Sequence, residues 1–203
     1  MTSCLDQNFT EKNLIFVNKI IETSKKILIN NGYCGLTMRA IANTMNIHIS
    51  TIQHYFKNKN HLIEYLFLNI TSDYNEKLKK TINLLTDKDP LKRFLNFINL
   101  ILDEMEKYNN YILFIELTSL SQRSKSINKM LNQLKNQYNE IIYMLIININ
   151  PSININEYKK RSLIISMQTQ AYLINFSDFN SEQKNHCLRN ELLQIFSNLV
   201  TKI

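Results

Sequence analysis

Apolar residues recur three and four positions apart along most of this 203-residue chain, a spacing that places them on one face of an α-helix. Only two glycines and two prolines interrupt the pattern. Long amphipathic segments with so few breaks predict an all-α protein of about nine helices. After the N-terminal region, the predicted helices cover residues 59–85, 90–107, 110–121, 124–148, 156–176 and 181–201.

The first predicted helix covers residues 11–31 and ends where Gly32 provides a C-terminal cap. Thr37 is a suitable N-cap for a short second helix. Asp89 before Pro90 marks another helix start, because a cap residue is followed by proline in the first turn. The inner face of the first helix is expected to carry Phe16, Val17, Ile20, Ile21, Ile27 and Leu28.

One segment departs from the helical pattern. The stretch "ININPSININ", residues 147–156, alternates apolar and polar residues as a strand does. Pro151 lies in its middle, and the chain offers no second strand-like segment to pair with it. We therefore predict that one helix ends here, a loop follows and the next helix begins.

The stretch "LTMRAIANTMNIHISTIQHYFKNK", residues 36–59, predicts two short helices joined by a tight turn. Asn46 falls at the turn, where asparagine tolerates a left-handed backbone. Two helices connected in this way form a helix-turn-helix, and polar side chains on the outer side of the second helix can meet base edges and phosphates. The predicted inward positions are Ile41, Ala42, Met45, Ile47, Ile52 and Phe56.

The net charge of +7 is concentrated near the N-terminus, where residues 11–60 hold seven lysines and arginines but only two glutamates. A basic module attached to a nearly neutral body is typical of a protein that binds a polyanion, although a charged stretch is more often a solvated helix face. Charge alone therefore indicates nucleic acid only weakly, and the helix-turn-helix pattern adds the stronger argument.

The sequence predicts a cytoplasmic protein without membrane association. No apolar run approaches the length of a membrane-spanning helix, and the first residues lack the pattern of a secretory signal. Cys4, Cys34 and Cys187 are odd in number and far apart, which argues against a disulfide framework or a cysteine-rich zinc module. We expect these thiols to be reduced.

Residues of about 11–65 resemble the DNA-binding domain of the TetR family of bacterial transcriptional regulators. The matching elements are "NNGYCGLT" at the end of the first helix, "IANTMNI" as helix, turn and core aliphatic, and "STIQHYFKNKNHLI" with its aromatic pair and a lysine that opens the fourth helix. Asn46, His48 and Gln53 stand where the family usually has glycine, a small cap residue and an aromatic residue. The resemblance implies a three-helix helix-turn-helix domain, predicted at residues 1–60, and a larger helical domain for effector binding and dimerisation, predicted at residues 61–203.

The outer side of the helix-turn-helix supplies the candidate DNA contacts. Gln53 can pair with N6 and N7 of adenine, or it can be an ordinary solvated helix residue. Ile49 can meet a thymine methyl group or pack as a staple against a neighbouring helix. Arg39 can touch a phosphate or a guanine edge, and the resemblance allows either. The predicted set is Thr37, Arg39, His48, Ile49, Ser50, Thr51, Gln53, His54, Tyr55, Lys57 and Lys59, of which Thr37, Thr51, Tyr55 and Lys59 are expected to hold phosphates.

The resemblance further implies that the larger helical part encloses a pocket for a small, often apolar effector. Glu116 stands between Ile115 and Leu117. If it faces inward without a partner it would select a cationic or hydrogen-bonding effector, and otherwise it forms a structural pair with Lys or Arg of an adjacent helix. Aromatic and Met residues at helical spacing are more often core than ligand site. The predicted pocket residues are Phe67, Phe94, Phe97, Ile101, Met105, Tyr108, Tyr111, Phe114, Glu116, Met130, Met144 and Gln168.

The last two predicted helices are amphipathic and suit a four-helix interface between two copies of the chain, as the resemblance implies. Without that analogy, the same apolar stripes would be assigned to the core of a single copy. The predicted interface residues are Leu163, Met167, Tyr172, Leu188, Leu192, Ile195, Phe196 and Leu199.

Metal binding and catalysis find little support. His48, His54 and His61, together with Cys34, have suitable ligand chemistry, but none repeats the i, i+4 spacing that puts two ligands on one helix face. The chain has no glycine-rich phosphate loop, nucleophile elbow or recognisable carboxylate pair. We therefore predict no metal, no cofactor and no enzyme activity.

The sequence thus predicts a homodimeric, ligand-responsive regulator, and specifically a repressor. It would bind a near-palindromic operator in double-stranded DNA and be released by a small-molecule effector. The alternative is a helical ligand-binding or interaction protein with a degenerate DNA-binding head, since His48 and Gln53 depart from the family pattern.

Overall fold

A computed structural model describes residues 11–175 and 182–202 of the chain. Over these ranges the protein is all-α, with nine helices and no strand, as predicted. It divides into two compact units, Met1–Ile70 and Thr71–Ile203, while the boundary predicted after residue 60 stays a prediction. The helices are α1 (Glu11–Gly35), α2 (Met38–Met45), α3 (Ile49–Tyr55), α4 (Lys59–Asn83), α5 (Pro90–Met105), α6 (Tyr108–Ser121), α7 (Lys125–Ile146), α8 (Ile155–Asn175) and α9 (Glu182–Thr201).

In the first unit, α1 leaves regular helical geometry at Gly32, whose φ is 64° and ψ is −176°. A side chain would be strained at this φ, so glycine suits the position. The predicted helix end falls here, and helical structure resumes as far as Gly35. Thr37 then caps α2 as predicted, because the backbone N–H of Ala40 donates to Thr37 Oγ1 at 3.0 Å.

The core of the first unit is formed by the apolar faces of its helices. Five of the six predicted inner residues of α1 are buried, and Phe16 is half-buried with its ring centroid 5.3 Å from that of Tyr55. This tilted ring contact and its partial burial place Phe16 at the edge of the core rather than in its centre. The most buried side chains of the unit are Val17, Ile20, Ile21, Leu28, Leu36, Ile41, Ile52, Phe56, Leu62, Leu66 and Phe67.

In the second unit, Asp89 caps α5 as predicted. The backbone N–H groups of Leu91 and Lys92 donate to Asp89 Oδ1 at 2.9 and 3.3 Å, and Pro90 occupies the first helical position. Proline fits there because its missing N–H would have no helical partner in the first turn. Sequence signals at this helix start therefore agree with the backbone geometry.

Other helix ends differ from prediction by two residues or fewer. The predicted helix 59–85 stops at Asn83, because the N–H groups of Leu84 and Leu85 donate to carbonyls only three residues back. Ser124 is the cap of α7 and not its first residue, with Oγ accepting from the N–H of Ile127 at 3.4 Å. Helix α6 begins two residues earlier than predicted, after Lys107 in the cap position.

The core of the second unit brings together α5, α7, α8 and α9. The Phe97 and Tyr138 rings stack with centroids 6.0 Å apart, and Phe94 meets Phe196 at 6.5 Å. Ile142 and Ile165 are fully buried beside them. These contacts anchor α5 against the long helix α7 and fix the walls of the cavity described below.

The strand-like segment 147–156 is a helix end, a loop and a new helix start, as predicted. Tyr158 closes the loop: its hydroxyl accepts from the N–H of Asn150 at 2.7 Å and donates to the Asn150 carbonyl at 2.9 Å. The Asn150 side chain donates in turn to the carbonyl of Thr201 at 2.7 Å. Alternation in this segment reflects loop hydrogen bonding and not sheet pairing.

Candidate functional site

Asn46 makes the turn between α2 and α3. Its φ of 54° and ψ of 48° are left-handed. The N–H of Asn46 donates to the Asn43 carbonyl at 3.1 Å, and the N–H of Ile47 donates to the Ala42 carbonyl at 3.0 Å. This pair of bonds is a Schellman motif, which closes a helix end without glycine when asparagine takes its place. The predicted turn is confirmed.

Helix α3 has one buried and one exposed side. Ile52 is fully buried, and Phe56, just after the helix, is buried with its ring 5.7 Å from that of Tyr65. The residues His48, Ile49, Ser50, Gln53 and His54 are exposed, and Thr51 is half-buried. The buried pair holds α3 on the core of the first unit, so the opposite side presents a row of side chains suited to a DNA groove.

The first turn of α3 begins at His48, which stands in the cap position without a side-chain cap bond. The N–H of Thr51 instead donates to the His48 carbonyl at 3.0 Å. Ile49 next to it keeps 38% of its surface exposed. The Ile49 side chain is therefore only partly packed, and part of it remains available to a thymine methyl group.

Two of the residues predicted to hold phosphates are engaged within the first unit. The Tyr55 hydroxyl donates to Asn13 Oδ1 at 3.3 Å. The Lys59 ammonium donates to the Tyr33 carbonyl at 3.1 Å and lies 4.0 Å from the centroid of the Tyr33 ring. These contacts give both residues a structural role that the sequence pattern did not indicate.

The other basic candidates are more accessible. Arg39 and Lys57 are exposed, and neither forms an ion pair or hydrogen bond with a described residue. Thr37 Oγ1 accepts the α2 cap bond, which leaves its hydroxyl proton able to donate. Arg39 and Lys57 thus differ from Lys59, whose ammonium group already contacts the carbonyl and the ring of Tyr33.

The three neighbouring histidines have different surroundings. His54 is exposed and meets the edge of Tyr55, with ring centroids 5.0 Å apart. His61 lies 5.7 Å from the Phe56 ring, and its Nδ1 is buried without a hydrogen-bond partner. Within the described ranges, no group of three or more His, Cys, Asp or Glu residues is arranged to hold a metal ion.

The second unit contains a half-open apolar cavity with an empty volume of about 360 Å³, including the part open to solvent. Five of its lining side chains are aliphatic or Phe, and Lys135 is the charged residue among them. Tyr74 comes from α4, so the helix that starts in the first unit also lines this cavity. The lining residues are Tyr74, Ile101, Phe114, Leu131, Leu134, Lys135, Tyr138, Thr169, Gln170 and Leu173.

Of the twelve predicted pocket residues, only Ile101 and Phe114 line this cavity. Met144 and Tyr108 are 61% and 53% exposed, because they lie on the solvent sides of α7 and α6. Phe94, Phe97 and Met105 are buried in the core of the second unit, while Phe67 belongs to the first unit. The remaining predicted residues, Tyr111, Glu116, Met130 and Gln168, are half-buried or exposed and do not line the cavity.

Sequence reasoning missed eight of the ten lining residues. On α7 the spacing of Leu131, Leu134 and Tyr138 marks one helix face, and this periodicity was available in the sequence. Choosing residues by type favoured Met130 over its neighbour Leu131. Gln170 lines the cavity and the predicted Gln168, two positions away, does not. To predict this, one would have to know how α8 is rotated about its axis, which only packing determines.

Glu116 is half-buried on α6 and forms no ion pair or hydrogen bond with a described residue. It also lies outside the cavity lining. Neither expected role, a pocket carboxylate or a partner for Lys or Arg, is visible at this position.

The cavity contains a buried hydroxyl without a hydrogen bond. Tyr138 is 5% exposed, and its hydroxyl has no hydrogen-bond partner of acceptable geometry. Thr169, across the cavity wall, donates instead to the Ile165 carbonyl at 2.9 Å. Burial raises the pKa of Tyr138, and the nearby Thr169 side chain opposes this only in part. Burial, with smaller contributions from Tyr138 and Glu104, also raises the pKa of Tyr74.

The C-terminal helices place the predicted interface residues in two groups. Leu163, Met167, Leu188 and Ile195 are exposed, whereas Leu192 and Leu199 are half-buried. Tyr172 and Phe196 are buried in the core of the same chain. The reason is helical phase: Tyr172 lies on the opposite side of α8 from Leu163 and Met167, whereas Phe196 lies about a quarter turn around α9 from Leu188 and Ile195. In the described part of the chain, no helix combines the length and apolar character needed to cross a membrane.

Comparison with known proteins supports this geometry. The family described as bacterial regulatory proteins, tetR family, matches residues 20–66, which include α2 and α3. The HTH-type transcriptional regulator QacR of Staphylococcus aureus is 26% identical over 192 residues, covering 91% of this chain and 98% of that protein. Residues 20–66 thus match the TetR family of bacterial regulatory proteins.

Further comparisons agree with this match. A probable HTH-type transcriptional regulator of Bacillus subtilis, YttP, is 24% identical over 98 residues, which span 48% of this chain and 47% of that protein. The crystal structure of a transcriptional regulator from Rhodococcus has the same fold, with a TM-score of 0.72 at 12% identity and coverage of 91% and 95% of the two chains. The chain therefore carries a segment that matches the DNA-binding domain of the TetR family, and it is similar along most of its length to a transcriptional regulator.

Proposed function

We propose that this TetR-family regulator is a homodimeric repressor that leaves its operator when a small molecule binds. The observation that carries the proposal is the two-sided α3, with Ile52 and Phe56 buried while Gln53 and its neighbours are exposed. A helix held from behind in this way can enter a major groove with its exposed side chains.

In the proposed complex, Gln53 reads a base and the exposed cations fix the register. Gln53 would pair with N6 and N7 of an adenine, while Arg39 and Lys57 would contact phosphates. Ile49, His48, Ser50, Thr51 and His54 would form the surrounding groove contacts, with Thr37 at the DNA backbone, while Tyr55 and Lys59 keep their contacts within the first unit. Two such heads would occupy half-sites about one helical turn, roughly 34–36 Å, apart on a near-palindromic operator.

The homodimer would form through α8 and α9. Met167 is 61% exposed and Leu188 55% exposed, and large apolar side chains exposed on two neighbouring helices support a covered surface. Leu163, Ile195 and the half-buried Leu192 and Leu199 extend the same face. Tyr172 and Phe196, buried within one chain, would contribute only by supporting the helices from behind.

The cavity of the second unit would receive the effector. Tyr74 on its wall belongs to α4, and the same continuous helix starts at Lys59 in the first unit. An effector that contacts Tyr74 can therefore change the position of α4, which would alter the spacing of the two heads. This coupling requires an affinity difference between the DNA-bound and released conformations.

A gel-shift assay with the DNA upstream of the protein's own gene tests the DNA-binding role. The full-length protein should shift this DNA at low salt, and log affinity should fall linearly with log salt concentration because bound phosphates release counterions. A shift of similar strength with scrambled DNA would reject sequence-specific binding. A protein with no shift at any salt concentration would instead be the ligand-binding protein with a degenerate head.

A further inference from the structure

We propose that the cavity of the second unit binds a hydrophobic carboxylic acid, held by Lys135 and the buried hydroxyl of Tyr138 within an otherwise apolar wall. This inference rests on the proposed function, since it names the chemical class of effector for the same cavity. It concerns the charge of the ligand, which the family likeness leaves open.

The wall of the cavity selects a hydrocarbon group. Ile101, Phe114, Leu131, Leu134 and Leu173 all line it, and three of these residues are among the buried core of the unit. An aliphatic or aromatic group of the ligand would remove this surface from water and gain the usual transfer free energy of apolar burial.

The Tyr138 hydroxyl supplies the directional contact. It is buried on the cavity wall and makes no hydrogen bond of acceptable geometry with a described residue, although Thr169 lies nearby, and such a group is costly unless a ligand or water satisfies it. Because burial raises the pKa values of both Tyr138 and Tyr74, the two phenols stay protonated at neutral pH and remain donors. A ligand with an acceptor oxygen therefore fits better than one that can only donate.

Lys135 determines which ligand charge the cavity favours. It is half-buried at the cavity and has no ion pair or hydrogen bond with any described residue, so its ammonium lacks a counter-charge. None of the described residues that line the cavity carries a carboxylate. The nearby Glu104 is bonded to both Lys77 and Lys107, and although burial disfavours the charged form, these bonds hold its pKa below the usual range.

A cationic ligand is the main competitor, because the rings of Tyr74, Phe114 and Tyr138 could attract an ammonium group through cation–π contacts. Lys135 opposes this, since two cations on one apolar wall repel each other where the dielectric constant is low. An anion gains from the same lysine and accepts from the same tyrosine. The lining therefore favours a carboxylate over both a cation and a neutral ester.

The test compares three probes with straight hydrocarbon tails of nearly equal length: octanoate, methyl octanoate and octyltrimethylammonium. Binding to the full-length protein is measured by titration calorimetry at pH 7, where octanoate is ionised. Octanoate should bind at least about tenfold more tightly than either of the others, the size expected for one charge-assisted hydrogen bond. Tighter binding of octyltrimethylammonium, or equal binding of all three, would overturn the inference.

Two substitutions test the roles of Lys135 and Tyr138 in ligand binding. Lys135→Met should weaken octanoate about tenfold and leave methyl octanoate unchanged, whereas Lys129→Met, an exposed lysine on the same helix, should change neither. Tyr138→Phe should weaken both acceptor probes while the melting temperature stays the same or rises, because the substitution removes a buried hydroxyl that has no hydrogen-bond partner among the described residues. An unchanged affinity for octanoate in Lys135→Met would overturn the assignment of the charge.

The outcome for this inference is separable from that of the proposed function. Operator binding by the unliganded protein is measured in parallel by gel shift. If operator DNA is bound and none of the three probes is, the inference is wrong while the DNA-binding role stands. If octanoate is bound and no DNA is, the inference is supported and the repressor proposal fails.

Discussion

The Lys59 ammonium donates to the Tyr33 carbonyl at 3.1 Å and lies 4.0 Å from the centroid of the Tyr33 ring. One side chain thus joins the start of α4 to the end of α1 within the first unit. The pattern of the sequence assigns Lys59 to a DNA phosphate, but these contacts already use its charge. Lys57, two residues earlier, is exposed and has no such partner among the described residues.

This difference predicts that two lysine substitutions affect different properties. Lys59→Met should lower the free energy of unfolding by about 1 kcal/mol, because it removes a charged hydrogen bond and a cation–π contact. Lys57→Met should leave stability unchanged and reduce the slope of log affinity for DNA against log salt by about one. Urea unfolding and salt-dependent DNA binding measure the two quantities, and identical behaviour of the variants would contradict the distinction.

Asn46 should tolerate glycine but not alanine. Its φ of 54° is left-handed, where a β-carbon without a compensating polar group is costly. Asn46→Ala is expected to lower the free energy of unfolding by about 1 kcal/mol, while Asn46→Gly leaves it unchanged or raises it. Asn43→Ala, an exposed position inside α2, is the matched control and should not destabilise. Denaturant unfolding would show the order, and equal loss in both Asn46 variants would contradict it.

Much of the fold was predictable because its signals are local. Thr37, Asp89 and Asn46 act through their own backbone and the next helical turn, so residue type and position sufficed. Helix ends such as Asn83 were less certain, since they depend on competing hydrogen bonds three or four residues back. Pro151 was enough to predict the loop at residues 147–154 from the sequence. The hydrogen bonds by which Tyr158 closes this loop depend on packing and were not predictable in this way.

The sites were less predictable, for different reasons. The sequence predicted that Ile52 and Phe56 face inward, and both are buried. The exposed side of α3 is the side opposite to this pair. The cavity forms where α4, α5, α6, α7 and α8 meet. Leu131 lines it and the adjacent Met130 does not, because consecutive residues of a helix face different directions. The engagement of Lys59 with Tyr33 joins residues 26 positions apart, a relation that no periodicity reveals.

Arg189 is expected to hold α9 against α5. Its Nη1 lies 2.7 Å from Asp103 Oδ1, and its other nitrogens donate to the Asn99 side chain and carbonyl at 3.0 and 2.8 Å. Arg189→Met should lower the free energy of unfolding by about 1–3 kcal/mol, because the group is mostly buried and its partners would be left unpaired. Arg123→Met, an exposed arginine without a described partner, should change it by less than about 0.5 kcal/mol. Equal effects would contradict the structural role.

The dimer is expected to depend on the exposed face of α8 and α9. Met167→Asp would place a charge at the centre of this face, and the desolvation of that charge should convert the dimer to monomer at micromolar concentration. Leu84→Asp, at an exposed position outside the face, is the control and should stay dimeric. Analytical ultracentrifugation distinguishes the states, and a Met167→Asp protein that remains dimeric would contradict the assigned face.

The most direct test of the central claim is the affinity of Gln53→Ala for an operator and for variants of that operator with each base pair changed in turn. Gln133→Ala, an exposed glutamine on α7, is the control. If Gln53 reads a base, its substitution should cost about 1–3 kcal/mol and remove discrimination at one position in each half-site, while the control binds like the original protein. Unchanged discrimination at every position in Gln53→Ala would contradict the assignment of α3 as the reading helix.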